Sequence, residues 1–151
     1  MDNKWVTWLF ASITNHFASY ASTENVPIFI EGQFQNTDQL PLFIEQSVLR
    51  MVITNDGPQA LDTEITISII IHCIMKENEN MYKVPDLIGV FLKAFANIPI
   101  YKYGKPGQPQ LGCMTQEAEI IVTNLGQINP KDEYQATLIT SDYLVHLTEG
   151  D

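Results

Sequence analysis

The sequence predicts an α+β fold, with a mainly antiparallel sheet and two amphipathic helices packed on one face. Three observations predict it. Residues 3–20 and 84–95 carry apolar side chains at helical spacing. Several other segments are rich in β-branched residues and tend to alternate at period two. The order of elements is helix, three strands, helix, short strand, two strands, and no strand–helix–strand repeat dominates it. A chain of 151 residues is expected to form a single domain, 1–151, with no repeat or linker.

Trp5, Val6, Leu9, Phe10, Ile13, Phe17 and Tyr20 form one stripe on the first helix. Asp2 or Asn3 can cap its first turn. Trp8 falls well off the stripe, so it either packs under a loop or marks an interface. Residues 28–31 read as a short strand ending near Gly32. The Asn-rich segment that follows predicts a mobile loop over 32–41.

Residues 42–54 and 64–76 predict a hairpin joined through Asn55-Asp56-Gly57-Pro58. The second of these strands stands out. Ile65, Ile67, Ile69, Ile71, Cys73 and Met75 share one face, while Thr66, Ser68, Ile70, His72 and Ile74 share the other. Its far end is apolar on both faces and needs cover on both. That cover comes either from the chain's own helices or from another copy; two helices on one side of the sheet cannot easily hide Ile70 and Ile74 as well, which favours a subunit contact at or near them.

Pro85 suits the first turn of the second helix, whose stripe is Val84, Leu87, Ile88, Phe91 and Phe95. Gly89 interrupts it at a cost of about 1 kcal/mol, which suggests close packing against another backbone. Asn97 and Pro99 end it. Residues 98–103 read as a short extended segment, and a second mobile loop is expected over 104–116 from its Gly and Pro content. Residues 119–123 and 134–147 predict the last two strands. In the final one the apolar phase changes, and a bulge near residues 138–141 would reconcile it.

Eight basic residues stand against eighteen acidic ones, giving a net charge of −10. With no basic cluster, that balance argues against a direct grip on nucleic-acid phosphates. No secretory signal is expected at the N-terminus, and no stretch approaches the ~20 apolar residues of a membrane-spanning helix. Cys73 and Cys113 read as reduced thiols, with a single disulfide between them as the alternative.

No catalytic or cofactor pattern emerges. His16, His72 and His146 are scattered, and zinc spacings are absent. His72 and Cys73 are adjacent on a strand and point to opposite faces. Glu117 and Glu119 sit two apart on an expected strand, where a solvated face explains them. There is no phosphate-binding glycine loop. Tyr101-Lys102-Tyr103-Gly104-Lys105 interleaves aromatic and basic residues. That suits stacking on a single strand, or an edge strand guarded by lysine. The expectation is a protein without catalytic residues, metal or cofactor.

The layout resembles the tail terminator and head–tail junction structural proteins of tailed bacteriophages. The likeness rests on Trp5 to Phe17 and on Phe29-Ile30-Glu31-Gly32 before a polar loop. It continues with Asn55-Asp56-Gly57-Pro58 leading into the long strand, then Leu87-Ile88-Gly89 with Phe95, and Ile98-Pro99-Ile100-Tyr101-Lys102-Tyr103-Gly104. It covers most of the chain in element order. The resemblance implies a ring, usually of six copies, that caps the tail tube, joins a neck or adaptor protein and lets DNA pass without specific binding. It implies assembly in the host cytoplasm into the virion, away from any membrane. A head-side adaptor or stopper, or a small peptide- or oligonucleotide-binding module, are the alternatives. The contact residues it suggests lie in the two loops and at the sheet edge. With those read from the strand and helix patterns, the interface candidates are Trp8, Gln33, Phe34, Gln35, Asn36, Ile70, Ile74, Tyr101, Tyr103 and Pro106.

Overall fold

A computed structural model describes residues 4–30, 40–55, 61–74, 80–117, 119–127 and 134–147. The elements are α1 (Lys4–Thr23), β1 (Ile28–Ile30), β2 (Leu42–Asn55), β3 (Leu61–Ile74), α2 (Asn80–Ala94), β4 (Ile98–Tyr101), a 3-10 turn (Lys102–Gly104), β5 (Gln110–Gln116), β6 (Ile121–Gly126) and β7 (Tyr134–Leu147).

The fold is α+β, and its sheet is mixed. The strand order is β1-β2-β3-β7-β5-β4, with β6 also paired to β7. β1 runs parallel to β2, whereas the other pairings are antiparallel. The parallel start departs from the mainly antiparallel sheet expected. Its physical basis is length: parallel neighbours need a long return connection, and the polar stretch between Ile30 and Leu42 supplies one.

β3 lies between two long partners. β2 and β7 flank it over almost its full length. Ile65, Ile67, Ile69, Ile71 and Cys73 are buried and together form one face of the strand, as their spacing predicts. Each isoleucine buried this way stabilises the fold by roughly 1.5–3 kcal/mol. They join a core cluster with Leu9, Ile13 and Phe17 of α1, Leu87 and Phe91 of α2, and Ile139 and Tyr143 of β7.

Several expectations need correcting. Phe10 is exposed, so the buried stripe of α1 runs through Trp5, Leu9, Ile13, Phe17 and Ala21. α2 begins at Asn80, which places Pro85 inside the helix. A Cβ on Gly89 would meet nothing within 4 Å, so that glycine does not serve close backbone packing.

The segment expected to be a mobile loop over 104–116 contains β5. Its sequence hides the strand, because Gly112 is a poor strand former and Pro106, Gly107 and Pro109 come just before it. Pairing with β7 requires that glycine: a Cβ there would lie 2.0 Å from the His146 carbonyl oxygen.

The phase change in β7 involves no bulge, since its register with β3 runs unbroken from Val145 to Tyr134. β7 is central in the sheet, and apolar side chains of both parities find cover there. The irregularity falls in β2, between Val48 and Arg50. It brings Val48 and Met51, opposite Ile67 and Ile65, onto the core side and leaves Leu49 54% exposed.

His16 ties the two helices together. Its Nε2 is 2.8 Å from the carbonyl oxygen of Ala94, the last residue of α2. Burial holds its pKa below the ordinary value of 6.5, and the Ala94 bond partly opposes that shift. The folded state therefore binds the proton less readily than the unfolded chain. The contribution is intact above 6.5 and is lost as pH falls through the interval below it. Urea unfolding at about pH 7.5 and about pH 5.5 should show a smaller drop for His16→Gln than for the parent protein. Equal drops in the two proteins would contradict this role.

Candidate interaction surfaces

The face of the sheet opposite the core cluster is neither bare nor fully covered. Its rows follow from the register. Phe43, His72 and Ala136 lie abreast, then Glu45, Ile70 and Leu138, then Ser47, Ser68, Thr140 and Ile121. At one end Phe43 stacks on the His72 ring at 4.5 Å, with Tyr134 edge-on to Phe43 at 5.3 Å. His72 Nε2 lies 2.8 Å from Glu45 Oε1. His72 is thus a partnered, largely buried histidine. Ser47 and Ser68 share a buried 2.7 Å hydrogen bond at the centre. Ile70, Ile74 and Leu138 remain half-buried.

β7 is bordered on its second edge by two short strands in succession. β5 pairs with its C-terminal part and β6 with its N-terminal part. Glu117 and Glu119 fall in the break between them and not on a strand, which corrects the shared strand face expected for that pair. The break leaves a recess of about 380 Å³ lined by Glu119, Ile121, Thr140, Ser141 and Asp142. Asp142 accepts a 2.6 Å hydrogen bond from the Thr66 hydroxyl. Beside the recess β6 exposes Ile121, Val122 and Leu125 at 57%, 44% and 41%. An uncharged strand of six residues with that much open apolar surface is a ready template for association.

The 3-10 turn after β4 is a third surface. Tyr103 has a φ of 62°, a left-handed backbone that costs a bulky residue about 1–3 kcal/mol. α1 holds it there. Ser12 Oγ accepts the Tyr101 N–H at 3.0 Å, and Asn15 Nδ2 donates to the Gly104 carbonyl at 2.6 Å. Gly104 has a φ of 69°, and a Cβ on it would sit 2.3 Å from Ala11 Cβ. Trp8 meets the Tyr103 ring edge-on at 5.5 Å, and Lys102 Nζ lies 5.4 Å from that ring's centre. Tyr103 itself is 54% exposed. The position of Trp8 fits its packing under a loop, and it supports a displayed aromatic residue.

No protein-family model matches the sequence. No curated protein matches it either. Solved structures share the fold, among them a protein at 12% identity, with a TM-score of 0.65, over 99% of each chain. That protein's name states no activity, ligand or partner. At this identity the likeness shows the fold alone.

The sequence-derived candidates separate into distinct groups. Trp8, Tyr101 and Tyr103 come together at the α1–turn junction. Pro106 lies beside them, lining a shallow pocket of about 170 Å³ with Tyr101, Gly104 and residues of α1. Ile70 and Ile74 are elsewhere, on the second face of the sheet. Gln33, Phe34, Gln35 and Asn36 lie outside the described residues, as does most of the loop expected over 32–41.

Sequence reasoning missed the recess and the exposure of β6. The available signal was the uncharged run Ile121-Val122-Thr123-Asn124-Leu125-Gly126 in a strongly acidic chain.

Cys73 and Cys113 are free thiols. Burial pushes the Cys73 pKa up, a shift that Lys83 partly opposes. Cys113 lies across from His146 in the β5–β7 register, and His146 Nε2 is 2.9 Å from Thr115 Oγ1. Among the described residues no three His, Cys, Asp or Glu side chains gather to hold a metal. Among them, too, no helix is long and apolar enough to cross a membrane.

Proposed function

We propose that this chain is a non-enzymatic structural subunit that closes into a ring at the head–tail junction of a tailed bacteriophage. The observation that carries the self-association is β6, with Ile121, Val122 and Leu125 open beside the half-buried second face. Surfaces of that kind mark association sites. The phage assignment rests on the resemblance in element order. The core cluster supports a finer architecture, with α1 and α2 covering one face of the sheet while the other receives a neighbour.

In this reading the ring, of six copies, caps the tail tube and joins it to a neck or adaptor protein. The protein assembles in the host cytoplasm and resides in the virion. The net charge of −10 suits a lumen that repels phosphate and lets DNA slide. A head-side adaptor would share this physics and differ only in its partner.

Electron microscopy of the purified protein mixed with isolated tail tubes tests the reading. The expected result is a single ring stacked on one tube end. A monomer that stays monomeric at high concentration and leaves the tubes uncapped would overturn it.

A second reading has one observation in its favour. The strained, exposed Tyr103 beside Lys102 is the kind of aromatic platform on which a nucleobase or peptide side chain stacks. Binding of a short oligonucleotide or peptide by the monomer, lost in Tyr103→Ala, would support a small binding module instead.

A further inference from the structure

We propose that the Lys102–Lys105 turn of one copy docks into the β5–β6 recess of a second copy, a head-to-tail contact. This rests on the self-assembly part of the reading above and names the surfaces that carry it.

The two surfaces complement each other in charge and chemistry. The turn presents Tyr103 between Lys102 and Lys105, two of only eight basic residues in a chain of net charge −10. Tyr103 is 54% exposed. The recess offers the reverse: the carboxylates of Glu119 and Asp142 beside Ile121, which is itself 57% exposed. An aromatic ring flanked by ammonium groups meets an apolar floor flanked by carboxylates. Such complementarity sets register and suppresses the wrong pairing of two acidic surfaces.

Geometry rules out self-insertion. Tyr101 pairs with Gln110 at the start of β5, whereas the recess opens beyond Gln116 at its other end. Seven residues of strand place the two surfaces about 20 Å apart. The turn of one molecule therefore reaches only the recess of another. A contact between two different patches generates a ring when its rotation closes.

The turn is also preorganised. α1 fixes it through Ser12, Asn15 and the tight fit of Gly104 on Ala11. Little conformational entropy remains to be lost on docking.

The recess belongs to the open face of the sheet. Ile121 and Thr140 share a row with Ser68, and Ile70 lies in the next row. A neighbour seated there would extend toward Ile70.

The test is sedimentation over a concentration series, with circular dichroism as a check on folding. The double variants Lys102→Glu/Lys105→Glu and Glu119→Lys/Asp142→Lys place charge only on exposed or half-exposed positions. Each alone should raise the concentration for half-assembly by about a hundredfold. An equimolar mixture of the two should restore assembly, because each reversed turn then meets a reversed recess.

If the parent protein assembles and the variants match it, the proposed contact is wrong while the ring reading stands. Variants that weaken assembly without rescue on mixing also overturn the pairing. If the parent protein stays monomeric throughout, the ring and the contact fall together.

Discussion

Phe17→Ala should destabilise the protein by about 3–5 kcal/mol, the range for removing a buried aromatic ring. The side chain is fully buried. Its ring lies 5.1 Å from that of Phe95 and 6.4 Å from that of Phe91. Phe95 in turn stacks on Tyr143 of β7 at 6.4 Å. Phe17 therefore starts an aromatic chain that runs from α1 past the end of α2 into the sheet. Domains of this size are held by only about 5–15 kcal/mol, so the variant would lie close to unfolding.

Phe17→Leu keeps most of the volume and should cost less than about 2 kcal/mol. Urea denaturation of the two variants measures both values. A Phe17→Ala loss below about 1 kcal/mol would mean that the aromatic chain does not hold α1. The consequence reaches the surface as well. α1 carries Trp8, Ala11, Ser12 and Asn15, which fix the 3-10 turn. Loosening the helix should loosen the turn.

Ile70→Asp is expected to behave in the opposite way, sparing the monomer and breaking the assembly. Ile70 is half-buried, between Glu45 on β2 and Leu138 on β7. A carboxylate there faces Glu45 across the strands, a repulsion worth only a few tenths to about 1 kcal/mol on an open face. Together with lost apolar contact, the monomer should give up about 1–3 kcal/mol and stay folded. Buried under a neighbouring copy, the same charge has no partner and no water. Half-assembly should then need about a hundredfold more protein.

The paired measurements are circular dichroism for the fold and sedimentation for the assembly. A chain that unfolds outright would return Ile70 to an ordinary core position. A folded chain that assembles normally would remove this face from the interface.

The contrast between these two residues reflects what the sequence made legible. Phe17 sits on a helical stripe, and Ile65 to Cys73 alternate on a strand. Period alone assigns both to a core, and the structure places both there. The β2–β3 hairpin was legible for the same reason, because two long β-rich runs flank a strong turn signal. The turn residues from Asp56 to Pro58 lie outside the described residues.

β5 was not legible. Its Gly112 looks like a loop residue until the His146 carbonyl is seen 2.0 Å from where a Cβ would stand. The parallel pairing of β1 with β2 was equally hidden, since nothing local to Ile28-Phe29-Ile30 specifies its direction. Both features depend on a partner strand outside the local segment.

The candidate surfaces divide along the same line. Trp8 stood out because it is off the stripe of its helix, and Tyr103 because aromatic and basic residues alternate around it. Only the fold brings them within 5.5 Å of each other, from positions almost a hundred residues apart. The recess arises because β7 is too long for either β5 or β6 to cover, and so the gap between them opens beside Asp142.

By itself, then, the sequence determined the helices, the long strands and their buried faces. These follow from periodicity, which is a property of neighbours along the chain. The tertiary structure alone decided strand direction, the place of β5 and the left-handed Tyr103. It also decided the placement of an acidic recess at one end of β5 and a basic turn at the other. Those features are set by contacts across long sequence separations, where the shape of the partner and not the local pattern fixes the outcome.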